Sequence, residues 1–322
     1  MTIVCATDRL PKSEVAIERA GILADELGAD IILLHVVVPG AAARALEERL
    51  LAAHAGMKAR AQPPLWRSSR LPGIAVRTGN PGRLILETVE HSHARLLILG
   101  RHRKRPLRDT LEGTIAEKAI AAQRCPVLIA QNKAHLPYAR ALLALDRSAA
   151  SASALRAAEL LVLAPDMDAQ IVHAQESSYE KFSSGGLGSE EDAGRSSERE
   201  ARDGLRDTFE NESADFARYQ VRIEPYEPAV AILRAVGLFK PDILVMGTRA
   251  GGRLHRALLG SVANRILHEV TCDTLIVPEG SVGKGLNRTL ERPRQRHPAQ
   301  ARSVIRGQHA IAKGAPRQKL SF

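Results

Sequence analysis

At 322 residues with 44% apolar side chains, the chain can bury two cores of ordinary domain size. Its net charge of +10 does not argue for a nucleic-acid-binding core, because residues 281–322 carry ten Lys or Arg against one acid, Glu291, and everything before them is close to neutral. Three cysteines are too few for a disulfide framework, no uncharged run is long enough to cross a bilayer, and Met1–Asp8 lacks the basic start of a signal peptide, so a reducing, cytoplasmic setting without a membrane is expected.

A short apolar strand ends at Asp8, and a helical pattern follows through Val15, Ile22, Leu23 and Leu27. A second strand spans Ile31–Val37, and the Ala/Leu/Glu/Arg-rich stretch 41–61 reads as a helix. Ile74–Val76 is a third strand. After Gly79-Asn80-Pro81 a helix carries Leu84, Ile85 and Val89, then a fourth strand covers 95–99. The basic loop Arg101-His102-Arg103-Lys104-Arg105 leads to a helix from Thr114 and a fifth strand at Val127–Ala130. Alternating strands and helices of this kind predict an α/β fold with a parallel sheet covered on both faces.

The rest of the chain repeats this unit. Residues 95–130 align without a gap on 242–277, with Gly100 and Gly247, Gly113 and Gly260, and Cys125 and Cys272 each 147 positions apart. Strands are expected up to Asp146, around Ile171-Val172, near Val221–Ile223, over 242–246 and over 274–277, with helices through Leu155 and Leu160-Leu161, over 228–237 and over 261–270. Asp8 and Asp146 are only 138 apart, so the second copy holds an insertion. The Ser/Gly/Glu-rich stretch Glu176–Glu200 is its expected place, as a solvated surface loop.

Two doubly wound five-stranded parallel sheets of strand order 3-2-1-4-5 follow. The first and fourth strands then flank the crevice where the winding reverses, and ligands bind beyond their carboxyl ends. Asp8 and Gly100 come to one crevice, Asp146 and Gly247 to the other. Free helix N–H groups at Gly113-Thr114 and Gly260-Ser261 suit phosphate, and an acidic side chain suits a ribose or adenine amino group. A nucleotide is the natural occupant, set against the plainer reading of capped strand-to-helix turns.

With those residues in view, both halves resemble the universal stress protein family over roughly residues 1–279. The resemblance implies a tandem member with a Rossmann-like, adenine nucleotide alpha hydrolase-like fold, domain one over 1–133 and domain two over 138–279; the low apolar content and scattered Arg, Pro, Gln and Gly of 280–322 make it a basic tail expected to be disordered. ATP-binding members carry Gly-x2-Gly-x9-Gly-(Ser/Thr) after the fourth strand, an Asp ending the first strand and a His-Val in the second. The carry-over gives Asp146, Ala174 after His173, Gly247, Ala250, Gly251, Gly260, Ser261 and Val262 in the second domain. The first offers Asp8, Val36 after His35, Gly100, Arg103, Gly113 and Thr114. The motif's second glycine is replaced in both copies, by Arg103 and by Ala250, and a Cβ where the backbone needs glycine's freedom costs about 1 kcal/mol. Ala250 is the milder change and has Gly251 and Gly252 beside it, so the second site is the expected one.

The resemblance further implies a non-enzymatic cytoplasmic stress-response protein, ATP or another adenine nucleotide as ligand with Mg only in its company, and a pseudo-dimer in which Val127–Ile129 meets Leu275–Val277. A nucleotide-free scaffold acting through an unknown protein partner or the basic tail stays open, as do nucleic acid at the tail, a homodimer of the whole chain and a slow ATPase or self-phosphorylating activity. Neither a Gly-x-Ser-x-Gly elbow nor a Walker sequence is present. His91 and His93 lack the Cys or carboxylate company of a metal site, His35 and His173 read as satisfied histidines, and Trp66 as a packing anchor.

Overall fold

The computed structural model describes residues 1–39, 43–63, 65–66, 68–101, 114–134, 136–175, 190–212, 214–249 and 260–282. Arg103, Gly113, Ala250, Gly251 and the tail beyond Val282 lie outside the described residues. The first half forms β1 (Thr2–Ala6), α1 (Pro11–Leu27), β2 (Asp30–Val37), α2 (Ala43–Arg60), β3 (Gly73–Thr78), α3 (Pro81–His91), β4 (Leu96–Gly100), α4 (Ile115–Ala121) and β5 (Val127–Ala130). The second half forms β6 (Arg140–Ala144), α5 (Ala149–Leu161), β7 (Asp168–Ala174), α6 (Glu190–Asn211), β8 (Gln220–Glu224), α7 (Pro228–Phe239), β9 (Ile243–Thr248), α8 (Ser261–Glu269) and β10 (Asp273–Pro278).

All strands join one ten-stranded sheet of order β3-β2-β1-β4-β5-β10-β9-β6-β7-β8. Each half has the expected 3-2-1-4-5 order, parallel within itself. The halves meet where β5 and β10 pair antiparallel, Leu128 opposite Leu275, so the fifth-strand edges close one another. Because both faces are covered, the central strands read as continuous apolar runs, such as Leu96-Leu97-Ile98-Leu99. Alternate residues serve opposite cores. Ile3, Cys5, Ile98, Leu143 and Leu275 pack with α1, α2, α5 and α6; Val4, Leu97, Leu99, Leu142 and Leu244 pack with α3, α4, α7 and α8.

Local chemistry sets the element ends. Pro81 and Pro228 occupy the first turns of α3 and α7, where proline's fixed φ suits the helix and its missing N–H is not needed. Asn80 caps α3 by accepting from the Arg83 amide, and Glu227 caps α7 by accepting from Ala229 and Val230. Gly28 ends α1 in the left-handed region at φ 59°.

Of the surface loop expected at Glu176–Glu200, residues 176–189 lie outside the described residues, and the rest is helix instead. Residues from Glu190 onward form α6, a 22-residue helix, and Ala201, Leu205 and Phe209 along it are buried. Their spacing of four is the helical signal, diluted in the sequence by the charged residues around it. Phe209 meets Phe216 and Tyr219 edge-on, each at 5.1 Å, which fixes the turn into β8.

One ion pair recurs in both halves with its charges exchanged. At the end of β3, Arg77 reaches Glu87 of α3 at 3.4 Å. At the end of β8, Glu224 reaches Arg234 of α7, also at 3.4 Å. These positions are 147 apart in both cases, so edge strand and helix are fastened the same way with opposite polarity.

Candidate functional site

The carboxyl ends of β6 and β9 place Asp146 and Arg249 on either side of the second crevice. Asp146 Oδ1 accepts from the Ser148 amide at 2.9 Å and from Ser151 Oγ at 2.6 Å, while Oδ2 takes Arg249 Nη2 at 3.4 Å. Partial burial pushes this carboxyl upward in pKa, but the two serine hydrogen bonds and the Arg249 charge outweigh it and hold the group below the usual carboxylate range. Asp146 is therefore an ionised acceptor whose Oδ1 is already occupied. Ala174 ends β7, half-buried beside His173, whose Nδ1 donates to the Leu145 carbonyl at 2.8 Å.

Gly247 has a packing role. A Cβ there would fall inside contact distance of the Ala150 carbonyl, and 3.0 Å from its Cβ, so glycine lets the first turn of α5 lie directly on β9. Gly260 is the opposite case. Among the described residues nothing lies within 4 Å of the Cβ it lacks, and it is the N-cap of α8 with no side chain satisfying the first amides. Ser261 is exposed and Val262 half-buried in that first turn, so the start of the helix faces the crevice and no described side chain caps its first N–H groups.

The first crevice has the same backbone plan and a different fitting. Asp8 is exposed and its Oδ1 accepts from the Leu10 amide at 2.9 Å. His35 Nδ1 donates to the Thr7 carbonyl at 2.8 Å, the same bond that His173 makes, and burial lowers its pKa, only partly opposed by that bond. Val36 and Gly100 are half-buried at the ends of β2 and β4. The start of α4 is already filled. Thr114 Oγ1 accepts from the Glu117 amide at 3.2 Å, and Glu117 Oε2 accepts from the Thr114 amide at 2.8 Å, a complete capping box. The residue 147 positions after Glu117 is Asn264, and no such box forms on α8.

Arg249, Ser148, Ser151 and Glu117 are the crevice residues that motif reading passes over. Thr114-x-x-Glu117 is a legible capping signature, whereas the reach of Arg249 to Asp146 depends on β6 and β9 being neighbours. Other candidates stand elsewhere. His91 Nδ1 donates to the Glu87 carbonyl and His93 sits in the left-handed region; among the described residues no group of three or more His, Cys, Asp or Glu could hold a metal. Trp66 is buried and donates Nε1–H to the Arg70 carbonyl at 2.8 Å. A shallow cavity of about 420 Å³ lined by Val89, Glu90, Arg124 and Ser281 lies at the amino ends of β4 and β5, the wrong end of the sheet for the crevices. No helix among the described residues is long and apolar enough to cross a membrane.

A family model described as the universal stress protein family matches the chain twice, over residues 1–131 and 137–278. Among solved structures, a universal stress protein from Archaeoglobus fulgidus DSM 4304 is similar at 18% identity, with a TM-score of 0.57 over 87% of this chain and 98% of that one. A functionally unknown protein from Pseudomonas aeruginosa PAO1 is similar at 16% identity, with a TM-score of 0.58 over 86% and 92%. A universal stress protein in complex with cAMP, 23% identical with a TM-score of 0.32, covers 40% of this chain and 94% of its own, the extent of one repeat. No curated protein matches the chain.

Proposed function

The chain belongs to the universal stress protein family as a tandem member, and on that premise we propose that it is a cytoplasmic, non-enzymatic binder that takes one adenine nucleotide, in its second domain. The observation that carries this is the contrast between the two helix starts. Among the described residues, α8 begins at Gly260 with no side-chain cap and nothing within 4 Å of a Cβ there, while α4 begins under its own Glu117 carboxylate. An anion adds favourably to the first arrangement and meets a like charge in the second. Asp146 and the end of β7 at Ala174 supply the acceptor and apolar edge for the nucleoside, with Gly251 and Ala250 in the intervening segment. Magnesium enters only with the phosphates.

Mass spectrometry of the purified, acid-denatured protein, followed by titration with Mg-ATP, tests this. About one adenine nucleotide per chain is expected, lost in Gly260→Asp, which places a carboxylate where the phosphate would sit. Failure of the wild type to carry or bind nucleotide would reject the reading. A second reading is a scaffold that works without nucleotide, through protein contacts or the basic tail. The packing role of Gly247 favours it, since that glycine is needed for the fold whether or not a ligand binds.

A further inference from the structure

The helix whose amino end opens on the second crevice touches the first domain with its carboxyl end. The His268 carbonyl, in the last turn of α8, accepts from Arg101 Nη2 at 3.2 Å. The His268 side chain faces the same domain, with Nε2 3.7 Å from Glu117 Oε1. Arg101 directly follows β4, and Glu117 holds the Thr114 amide at the start of α4. Both flanks of the first domain's 102–113 segment thus rest on one turn of a second-domain helix. At 1.5 Å per residue that helix is only about 13 Å long, too short and too well anchored through Ala263 and Ile266 to absorb a shift by bending.

We propose that α8 couples the two domains: an anion seated on its amino end at Gly260 is felt at α4 and Arg101 through its carboxyl end. The proposal rests on the second domain being the nucleotide site. An anion at the amino end stabilises the first turn of α8 and fixes its axial position, and the His268 turn then holds Arg101 and Glu117 in one arrangement. Among the described residues this contact is built in one copy only. The positions matching Arg101, Glu117 and His268 at the 147-residue offset are Thr248, Asn264 and Ala121, which have neither the charge nor the reach to rebuild it from α4 to the second domain. Two unequal domains therefore become a receiving domain and a reporting one.

Hydrogen exchange of the α4 amides, residues 115–121, followed by mass spectrometry, reads the coupling on the full chain. Saturating Mg-ATP is expected to slow α4 exchange about fivefold in the wild type, the lower end of ordinary coupling. In Arg101→Ala/Glu117→Gln the slowing should vanish, and by reciprocity Mg-ATP should bind about fivefold more weakly. Glutamine keeps the capping box, so α4 itself stays formed. Gly260→Asp fixes a carboxylate at the same helix end and should slow α4 exchange without nucleotide, which separates the two ideas. If Mg-ATP does not bind yet Gly260→Asp slows α4, the nucleotide reading falls and the coupling stands. If α4 exchange is unchanged by Mg-ATP binding and by Gly260→Asp, or changes equally in the double variant, the coupling is overturned.

Discussion

Arg19 and Asp273, 254 residues apart in the chain, form a buried ion pair with Nε and Oδ2 at 3.1 Å, and it joins the first domain to the second. Asp273 opens β10 and accepts four hydrogen bonds: Arg19 Nε and Tyr138 Oη on Oδ2, and the Gln131 and Asn132 amides on Oδ1. Arg19 also donates to the Leu136 carbonyl and lies 3.7 Å from the Tyr138 ring centroid. The matching positions in the other copy are Ala157 and Pro126, so the lock is built once, on one side of the seam. Removing one partner strands a buried charge. Arg19→Met is expected to lower stability by on the order of 3 kcal/mol, and Arg19→Met/Asp273→Leu to lose less than either single change. Chemical denaturation of the four proteins checks it, and additive losses would show that the pair does not act as a unit.

The charge-exchanged clasp gives a cleaner cycle, because both partners are at the surface. Arg77→Glu should cost about 1 kcal/mol by setting two carboxylates against each other, and adding Glu87→Arg should restore stability to within about 0.5 kcal/mol. That double variant copies the polarity nature uses at Glu224 and Arg234. Urea midpoints that fail to recover would mean Arg77 matters through its 3.2 Å bond to Thr88 instead.

Gly247 and Gly260 should separate by experiment. Gly247→Ala drives a methyl into the Ala150 carbonyl and should lose about 3 kcal/mol, as overpacking does. Gly260→Ala meets no described atom within 4 Å and should cost only about 0.5–1 kcal/mol, for alanine in place of glycine at an N-cap. Equal effects on thermal stability would contradict the division of roles between them.

Asp146 predicts an acid dependence with a definite sign. Its folded pKa lies below the unfolded value of about 3.9, so its stabilisation is complete above that value and is lost as pH falls through the folded pKa. The stability gap between the wild type and Asp146→Asn should therefore be largest near neutral pH and shrink below pH 4. A gap that widens on acidification would reverse the assignment.

The three cysteines should be silent in the native state. Burial pushes the thiols of Cys5, Cys125 and Cys272 up to about 12, which leaves almost no thiolate at pH 8. Iodoacetamide at that pH should label none of them in the folded protein and all three in denaturant, read by intact mass. Rapid native labelling of Cys125 would show that the cavity it lines together with Val89 and Arg124 opens.

Strand order was legible from the sequence because a parallel sheet buried on both faces leaves continuous apolar runs and Gly/Pro punctuation, and because the 147-residue repeat printed the same pattern twice. The pairing of Val127–Ile129 with Leu275–Val277 was implied by the family resemblance rather than by the residues alone; the structure pairs Val127–Ile129 with Thr274–Ile276 and so covers both apolar edges. The helix from Glu190 is hidden in the sequence because the buried residues described along it, Ala201, Leu205 and Phe209, stand in a strongly charged stretch. What only the tertiary structure decided is how identical-looking motif residues divide their work. Gly247 is fixed by the closeness of α5, Asp146 by the reach of Arg249 from the neighbouring β9, and Gly260 by the lack of any described side chain over the start of α8. Composition and spacing register which residues are present, while these distinctions depend on distances between elements that are far apart in the chain and meet only in the folded domain.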